Sequence, residues 1–280
     1  MGKRIDTVER EGLTFDVRDE GPIDGEPVVL LHGFPQDARS WDAVAARLHE
    51  AGYRTIAPDQ RGYSPRARPG RRRDYRIPAL VDDIVALVGA IGGGPVHLVG
   101  HDWGAVVAWV VAARRPDLVR TLTAVSVPHP AAFMRAMVTS PQLLKSWYIL
   151  AFQLPWIPEM LLSNDAVTRF VLRRSGQPPE TAERDAARMA DASAVRGGVN
   201  WYRALFFADP RETVGRVRVP TLMVWSDGDI ALTRAGADGT GKYVSAPYRL
   251  EVLEGVSHWI PDEVPDELGR LIVEHAGVHS

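Results

Sequence analysis

Short apolar runs of the kind that form buried β-strands alternate with longer helical segments over much of the chain. Runs of four to eight residues rich in valine, leucine and isoleucine are typical of strands buried on both faces of a sheet. They predict six such strands, at residues 27–31, 54–57, 95–99, 122–127, 221–225 and 249–253. Residues 13–18 alternate between apolar and polar positions instead, which predicts an edge strand.

Helical segments are predicted between most of these strands, at residues 41–50, 79–91, 103–114 and 266–275. Strands that alternate with helices predict a mostly parallel central sheet flanked by helices. The alternation stops between residues 129 and 216, where the sequence becomes helical, aromatic and punctuated by prolines. We therefore predict a core of residues 1–128 and 217–280 with an inserted helical cap of residues 129–216. A cap over the carboxyl ends of the strands would close a ligand pocket there.

Composition narrows the classes of protein without choosing one. The 280 residues are 45% hydrophobic and 24% charged, with a net charge of −2 and no cysteine. No apolar run approaches the roughly 18–20 residues that a membrane span needs, and no signal-peptide pattern stands at the start, so we expect a cytoplasmic protein with no membrane partner. A net charge of −2 gives no general attraction to nucleic acid, so we expect no nucleic-acid partner. We expect a monomer or a homodimer.

The strongest motif is a strand, a tight turn and a helix around Gly100-His101-Asp102-Trp103-Gly104. It has the form of the G-x-S-x-G nucleophile elbow, with aspartate in the place of serine. Glycines at both ends allow the close backbone approach that such an elbow requires. We predict that Asp102 is a covalent nucleophile. The alternative is an aspartate that only caps the following helix.

A second motif, His32-Gly33-Phe34-Pro35, directly follows the first predicted buried strand. At this place an elbow enzyme supplies one backbone N–H of its oxyanion hole, and the residue after the nucleophile supplies the other. The predicted donors are the N–H groups of Phe34 and Trp103. A loop fixed only by its proline is the alternative.

The base and the acid of a triad are expected after the nucleophile, at the ends of later strands. His258 lies just past the last predicted strand and is our candidate base; His101 adjoins the nucleophile, but we expect it to point away along the turn. The strand at 221–225 runs into two aspartates, and we choose Asp229 over Asp227, because Asp227-Gly228 has the chemistry of a turn. A purely structural turn is the remaining alternative.

An aspartate nucleophile indicates the reaction class. A carboxylate that attacks a saturated carbon forms an ester, which water can cleave at the aspartate's own carbonyl group. The substrate is then an epoxide or an alkyl halide. Weak N–H donors are sufficient to stabilise a departing halide. An epoxide oxygen instead needs a proton donor or a strong hydrogen bond as its ring opens.

Over almost its whole length the chain resembles the epoxide hydrolases of the α/β-hydrolase fold. The resemblance rests on the motifs above, on Asp59-Gln60-Arg61-Gly62-Tyr63-Ser64 and on two cap stretches, residues 147–153 and Asn200-Trp201-Tyr202-Arg203. It implies a small-molecule epoxide as substrate and Tyr148 and Tyr202 as the donors to the ring oxygen. Either tyrosine could instead be a packing residue of a cap helix. We expect the substrate pocket to include Pro35, Trp147 and Phe152.

Haloalkane and fluoroacetate dehalogenases share the Asp-Trp elbow and are the alternative enzyme class. Haloalkane enzymes commonly carry asparagine where Phe34 stands, and fluoroacetate enzymes carry a His-Trp pair in place of Trp147-Tyr148. A ligand receptor or binding protein of the same fold is a further alternative, which a broken triad would favour, whereas the candidate triad of this chain is intact in sequence. We expect no cofactor and no metal, because the histidines do not cluster at ligand spacing and Gly92-Gly93-Gly94 is better interpreted as a turn.

Overall fold

One eight-stranded sheet organises the protein. The computed structural model describes residues 3–209, 211 and 215–279. The strand order is β1-β2-β4-β3-β5-β6-β7-β8. The outer pairs β1–β2 and β2–β4 are antiparallel, and every other neighbouring pair is parallel. The strands are β1 Thr7–Arg10, β2 Leu13–Glu20, β3 Pro27–Leu31, β4 Arg54–Pro58, β5 Val96–His101, β6 Val119–Val125, β7 Thr221–Ser226 and β8 Tyr248–Leu253.

All six predicted buried strands are present, with ends that differ by up to three residues. The largest difference is in β6, which runs from Val119 to Val125 where residues 122–127 were predicted. The predicted edge strand is β2, but it lies second from the edge because β1 pairs outside it. The four residues of β1, Thr-Val-Glu-Arg, are too few and too polar to give a pattern by themselves.

Helices cover both faces of the sheet. The core helices are α1 Asp42–Glu50, α2 Ile77–Ala90, α3 Trp103–Arg114, α11 Arg234–Gly239, α12 Ile260–Glu263 and α13 Pro265–Val278. Val28 and Leu30 of β3 pack with α1 and α13, while Val29 and Leu31 pack with α2 and α3. Because both faces are buried, the strands are continuous apolar runs, as the sequence pattern indicated.

In the described part of the chain, seven helices lie between β6 and β7, where the cap was predicted, and we call this helical segment the cap. They are α4 Pro130–Thr139, α5 Gln142–Lys145, α6 Trp147–Ala151, α7 Ile157–Leu162, α8 Asp165–Arg174, α9 Pro179–Met189 and α10 Ala192–Ala204. Short 3-10 helices lie at Ala38–Trp41, Arg72–Tyr75, Pro116–Leu118, Leu205–Phe207 and Thr240–Tyr243. The limits of the cap at 129 and 216 stay a prediction, and residues 210 and 212–214 of that segment lie outside the described residues.

Close backbone packing joins α10 to the core. A Cβ added to Gly197 would meet the backbone of Gly62, so the two chain segments touch without side chains between them. The indole N–H of Trp201 donates to the carbonyl oxygen of Arg61 at 2.8 Å. These contacts hold α10 over the carboxyl ends of β3, β4 and β5. No helix in the described part of the chain is long and apolar enough to cross a membrane.

Candidate active site

Asp102 occupies a strained turn between β5 and α3. Its φ of 51° and ψ of −120° lie outside the regions that non-glycine residues prefer. Added Cβ atoms would collide with the Gly104 carbonyl at Gly100 and with the Leu31 carbonyl at Gly104, so neither position tolerates a side chain. The Asp102 side chain makes no capping bond to α3. The turn therefore presents the carboxylate to the end of the sheet and does not use it as a helix cap.

The Asp102 carboxylate faces two of the predicted partners. The backbone N–H of Phe34 donates to Oδ1 at 2.8 Å, and Nε2 of His258 lies 3.5 Å from Oδ2. The backbone N–H of Trp103, the other predicted oxyanion donor, makes no hydrogen bond to this carboxylate in the described structure. Helix α3 starts at Trp103, so this N–H is one of the first in the helix, which have no partner within it.

Asp229, and not Asp227, contacts the histidine. Nδ1 of His258 lies 2.7 Å from Oδ2 of Asp229. The other oxygen of Asp229 accepts hydrogen bonds from the backbone N–H groups of Ala231 and Leu232, at 2.7 and 2.9 Å. Asp227 is exposed, and its carboxylate accepts the backbone N–H of Gly255 at 2.7 Å. The geometry thus gives Asp227 the turn position expected from Asp-Gly and gives Asp229 the buried contact.

The charges of Asp102, Asp229 and His258 oppose the effect of burial on the pKa values of Asp102 and His258. Burial disfavours the imidazolium of His258, but the carboxylates of Asp229 and Asp102 outweigh it and raise the pKa of His258 to about 10. Burial also disfavours the carboxylate of Asp102, yet its hydrogen bond and charge interaction with His258 hold the pKa of Asp102 below its ordinary value. In the free enzyme at neutral pH, the two groups therefore form an imidazolium–carboxylate pair.

Two cap tyrosines face Asp102 across a cavity. Tyr148 of α6 and Tyr202 of α10 both line it, and their rings meet edge to face with centroids 5.9 Å apart. Burial and the nearby charge of Asp102 raise the pKa of both phenols above the ordinary value. Both hydroxyl groups are therefore protonated and can donate. The rings of Phe34, Trp103 and Phe152 contact the ring of Tyr202 edge to face, which fixes its direction.

The stretch Asn200-Trp201-Tyr202-Arg203 is anchored on both sides of its tyrosine. Trp201 is buried and bonds to the core as described above, and its ring contacts that of Trp103. Arg203 forms a buried ion pair with Glu159 of α7 at 2.6 Å. The same guanidinium donates to the carbonyl oxygens of Phe152 and Leu154, at 2.9 and 2.8 Å. These bonds tie α10 to α7 and to the chain after α6, so that the segments bearing the two tyrosines are held together.

The cavity between Asp102 and the cap has a volume of about 310 Å³ and is largely apolar. Its polar side chains are those of Asp102, His258, Tyr148 and Tyr202. The apolar lining residues are Ile77, Trp103, Val106, Val127, Pro128, Pro130, Phe133, Met134, Ile149, Leu205, Ala208, Ala231 and Leu232. Within the described residues, no group of three or more metal-binding side chains converges anywhere.

Three residues expected in the substrate pocket lie elsewhere. Trp147 points outward and is 68% exposed, because its neighbour Tyr148 takes the inward position on the same short helix. Phe152 packs behind the tyrosines, against Phe34 and Tyr202. Pro35 is buried beside Phe34 but does not line the cavity. Pro130, Phe133 and Met134 of α4 contribute to the lining, and nothing in the sequence marked them for this role.

A buried network of hydrogen-bonded side chains beneath His258 was not predicted from the sequence. The ring of His101 does not point away from the site: Nε2 lies 3.0 Å from the carbonyl oxygen of His258, and Nδ1 lies 3.1 Å from Oε1 of Gln36. The amide of Gln36 donates to Asp262 at 2.7 Å. Burial and the charge of His258 lower the pKa of His101 to about 4, and burial raises the pKa of Asp262 to about 6. These contacts support the loop that carries His258.

Comparison with known proteins identifies the fold and the family. Residues 26–265 match the family described as alpha/beta hydrolase fold. The AB hydrolase superfamily protein YfhM of Bacillus subtilis (strain 168) is 37% identical over 281 residues, covering 98% of each chain. Epoxide hydrolase 3 of Xenopus tropicalis is 34% identical, covering 93% of this chain and 74% of that protein. Epoxide hydrolase VrEH1 from Vigna radiata has a crystal structure that matches with a TM-score of 0.82 at 29% identity, covering 99% of this chain and 98% of that one.

The chain belongs to the α/β-hydrolase-fold family. Within that family its relatives at 30–34% identity include epoxide hydrolases of Xenopus tropicalis, Homo sapiens and Mycobacterium tuberculosis. The predicted fold class and the resemblance stated from the motifs are both confirmed. The comparisons do not favour the dehalogenase alternative.

Proposed function

We propose that this protein is an epoxide hydrolase that opens an epoxide to a vicinal diol through an alkyl ester on Asp102. One observation carries the proposal: an aspartate nucleophile and two protonated phenols face each other across the same cavity. Attack on a saturated carbon requires a nucleophile on one side and a donor to the leaving oxygen on the other. A site for halide release would not need phenols as acids.

Ring opening forms the ester. A carboxylate oxygen of Asp102 attacks one epoxide carbon while the bond from that carbon to the ring oxygen breaks. Tyr148 and Tyr202 donate hydrogen bonds to the oxygen as its negative charge develops. Ester formation removes the charge of Asp102, and this lowers the pKa of His258. The proton of the imidazolium then becomes available to neutralise the alkoxide, which leaves a neutral histidine beside a hydroxyalkyl ester.

Hydrolysis regenerates the enzyme. Neutral His258, oriented by Asp229, accepts a proton from water, and the resulting hydroxide adds to the carbonyl carbon of the ester. The Phe34 N–H, which already contacts Oδ1, and the Trp103 N–H then donate to the oxyanion. Departure of the diol restores the carboxylate of Asp102 and the imidazolium of His258. The resting pair of charges is recovered without loss or gain of protons.

The lining of the cavity supports neutral, apolar epoxides as substrates. Apart from Asp102 and His258, none of the described residues that line the cavity carries a charge, so a substrate carboxylate or phosphate would meet no further counter-charge among them. No cofactor or metal is part of the proposal. We also propose a cytoplasmic location, supported by the absence of cysteine, and a monomeric or homodimeric state.

The direct test offers the purified protein a panel of aryl and alkyl epoxides, haloalkanes and haloacids, and measures diol and halide release. We expect diol from the neutral apolar epoxides and no halide. Halide release without diol formation would transfer the assignment to a dehalogenase. Absence of both products from all substrates, with Asp102 unmodified, would contradict enzymatic function at this site.

A further inference from the structure

The outward side of the cap is unusually apolar. Of the seventeen large apolar side chains that are exposed in the described part of the chain, thirteen lie between residues 134 and 171. They follow helical spacing: Met134 and Val138 are four residues apart on α4, and Ile157, Met160 and Leu161 share one side of α7. A surface helix ordinarily turns such a stripe toward the core. Here the stripes face outward, and we name the exposed apolar residues of 134–171 the cap outer face.

The cavity reaches the surface at this face. Met134 lines the cavity and is itself 51% exposed. The lining residues Ile149 and Leu205 are followed directly by Leu150 and Phe206, which are 64% and 66% exposed. An apolar molecule held against the cap outer face at Met134 would therefore contact a residue that also lines the cavity.

Charge distinguishes the possible occupants of the face. Residues 130–175 contain five basic and two acidic residues, whereas the rest of the chain contains 28 basic and 33 acidic residues. Both acids are engaged, Glu159 by Arg203 and Asp165 by Arg169. Arg135, Arg173 and Arg174 are exposed and make no ion pair with any described residue. A symmetric contact between two copies would bring these arginines toward one another, while an anionic lipid surface attracts them.

We propose that the cap outer face docks on an anionic lipid surface. Exposed tryptophan, phenylalanine and leucine beside arginine is the composition of helices that lie in a membrane interface. This mode needs no spanning helix, so the lack of a long apolar run, from which the sequence analysis expected no membrane partner, does not count against it. Delivery of a lipid-dissolved epoxide to the cavity rests on the proposed function, whereas the docking itself does not.

The test is co-sedimentation of the full chain with vesicles, without any substrate. Vesicles of phosphatidylcholine with phosphatidylglycerol should bind the protein, and vesicles of phosphatidylcholine alone should bind it much less. The pair Arg173→Glu and Arg174→Glu should lower the partition coefficient by about tenfold or more. The matched control, Arg114→Glu with Lys242→Glu, makes the same change of charge at exposed residues outside the cap, and Arg114 ends α3 away from the elbow. The control should bind as the wild type does.

Apolar contacts are tested separately. Leu144→Ser with Trp156→Ser removes side chains that are 77% and 78% exposed and should lower binding by about tenfold or more. Val278→Ser, at a residue 73% exposed on α13, should not. Absence of binding by the wild type, or equal loss in the cap and control variants, would overturn the proposal.

Two further measurements separate the remaining explanations. If light scattering shows a wild-type dimer that Leu144→Ser with Trp156→Ser dissociates, and vesicles do not bind, the face is a contact between copies and the proposal is wrong. Epoxide turnover in vesicle-free buffer should be unchanged in all these variants. A protein that binds vesicles but turns over no epoxide would refute the proposed function and leave the docking intact.

Discussion

The two ring nitrogens of His258 face carboxylates at different distances: Nδ1 lies 2.7 Å from Asp229, and Nε2 lies 3.5 Å from Asp102. The shorter contact is with a fully buried carboxylate whose second oxygen is held by two backbone N–H groups. The longer one faces the cavity. His258 is thus fixed from behind by Asp229, while its other nitrogen remains beside the carbonyl group at which an ester would be hydrolysed.

Oxygen exchange at Asp102 tests the covalent intermediate. Because water attacks the ester at the carboxyl carbon of the aspartate, one oxygen of Asp102 should come from solvent after each turnover. Repeated turnover in heavy-oxygen water should label the peptide that contains Asp102, as measured by mass spectrometry. Label in the diol alone, with none in the peptide, would show that free water attacks the epoxide.

The acid of the triad can be identified with two matched substitutions in one turn. His258→Gln should trap the ester, because alkylation can proceed while water activation is lost, and intact-mass measurement should show the adduct. Asp229→Asn should slow ester hydrolysis in the same way, since it removes the charge that orients and stabilises the imidazolium. Asp227→Asn should leave the rate unchanged, because Asp227 contacts only the backbone of Gly255. The reverse result for the two aspartates would exclude Asp229.

Leaving-group activation depends on the two cap tyrosines. A donor to developing negative charge on oxygen contributes about 3–4 kcal/mol, or roughly 10²–10³ in rate. Tyr148→Phe with Tyr202→Phe should therefore lose nearly all ring opening, and either single variant should lose less. Tyr63→Phe is the control, because the buried hydroxyl of Tyr63 has no hydrogen-bond partner and does not line the cavity. Stopped-flow measurement of alkylation should separate these variants; equal rates in all of them would remove the phenols from the mechanism.

The rates of the two half-reactions should change with pH in different ranges. Alkylation needs the carboxylate of Asp102, whose pKa is lowered, so its rate should fall only at pH values below the ordinary aspartate range. Ester hydrolysis needs neutral His258, so its rate should rise with pH through the pKa of His258 in the ester. That pKa should lie below the value of about 10 in the free enzyme, because the ester has lost the charge of Asp102. Single-turnover rates across pH give both profiles, and an alkylation rate that follows the histidine would contradict this assignment.

Catalysis should depend on the close approach of α10 to the core at Gly197. Gly197→Ala places a methyl group against the backbone of Gly62 and should push α10, with Tyr202, away from the elbow. We expect kcat for epoxides to fall at least tenfold. Gly89→Ala in α2 meets no neighbouring atom within 4 Å and should leave kcat unchanged while raising stability by up to about 1 kcal/mol. Similar kcat values in the two variants would show that catalysis tolerates displacement of α10.

Sequence alone determined the elements whose signal is local. Strands buried on both faces leave continuous apolar runs, so all six appeared in the pattern. The elbow is specified by glycines within a few residues of Asp102, because two close backbone contacts exclude side chains there. The position of His258 followed from its place after the last strand. The fold class and the candidate nucleophile could therefore be predicted without a structure.

Only the tertiary structure decided features that depend on distant contacts. The turn chemistry of Asp227-Gly228 favoured Asp229 over Asp227 in the sequence, but only the folded structure shows which carboxylate the turn directs toward His258. His101 contacts His258 across 157 residues of chain, and Gln36 contacts Asp262 across 226 residues. No local sequence pattern acts over such separations. Trp147 and Tyr148 were both expected to face the substrate, but only Tyr148 lines the cavity, because a short helix can turn only one of two adjacent side chains inward. The physical reason is the same in each case: these positions are set by packing between elements, which periodicity along one element does not encode.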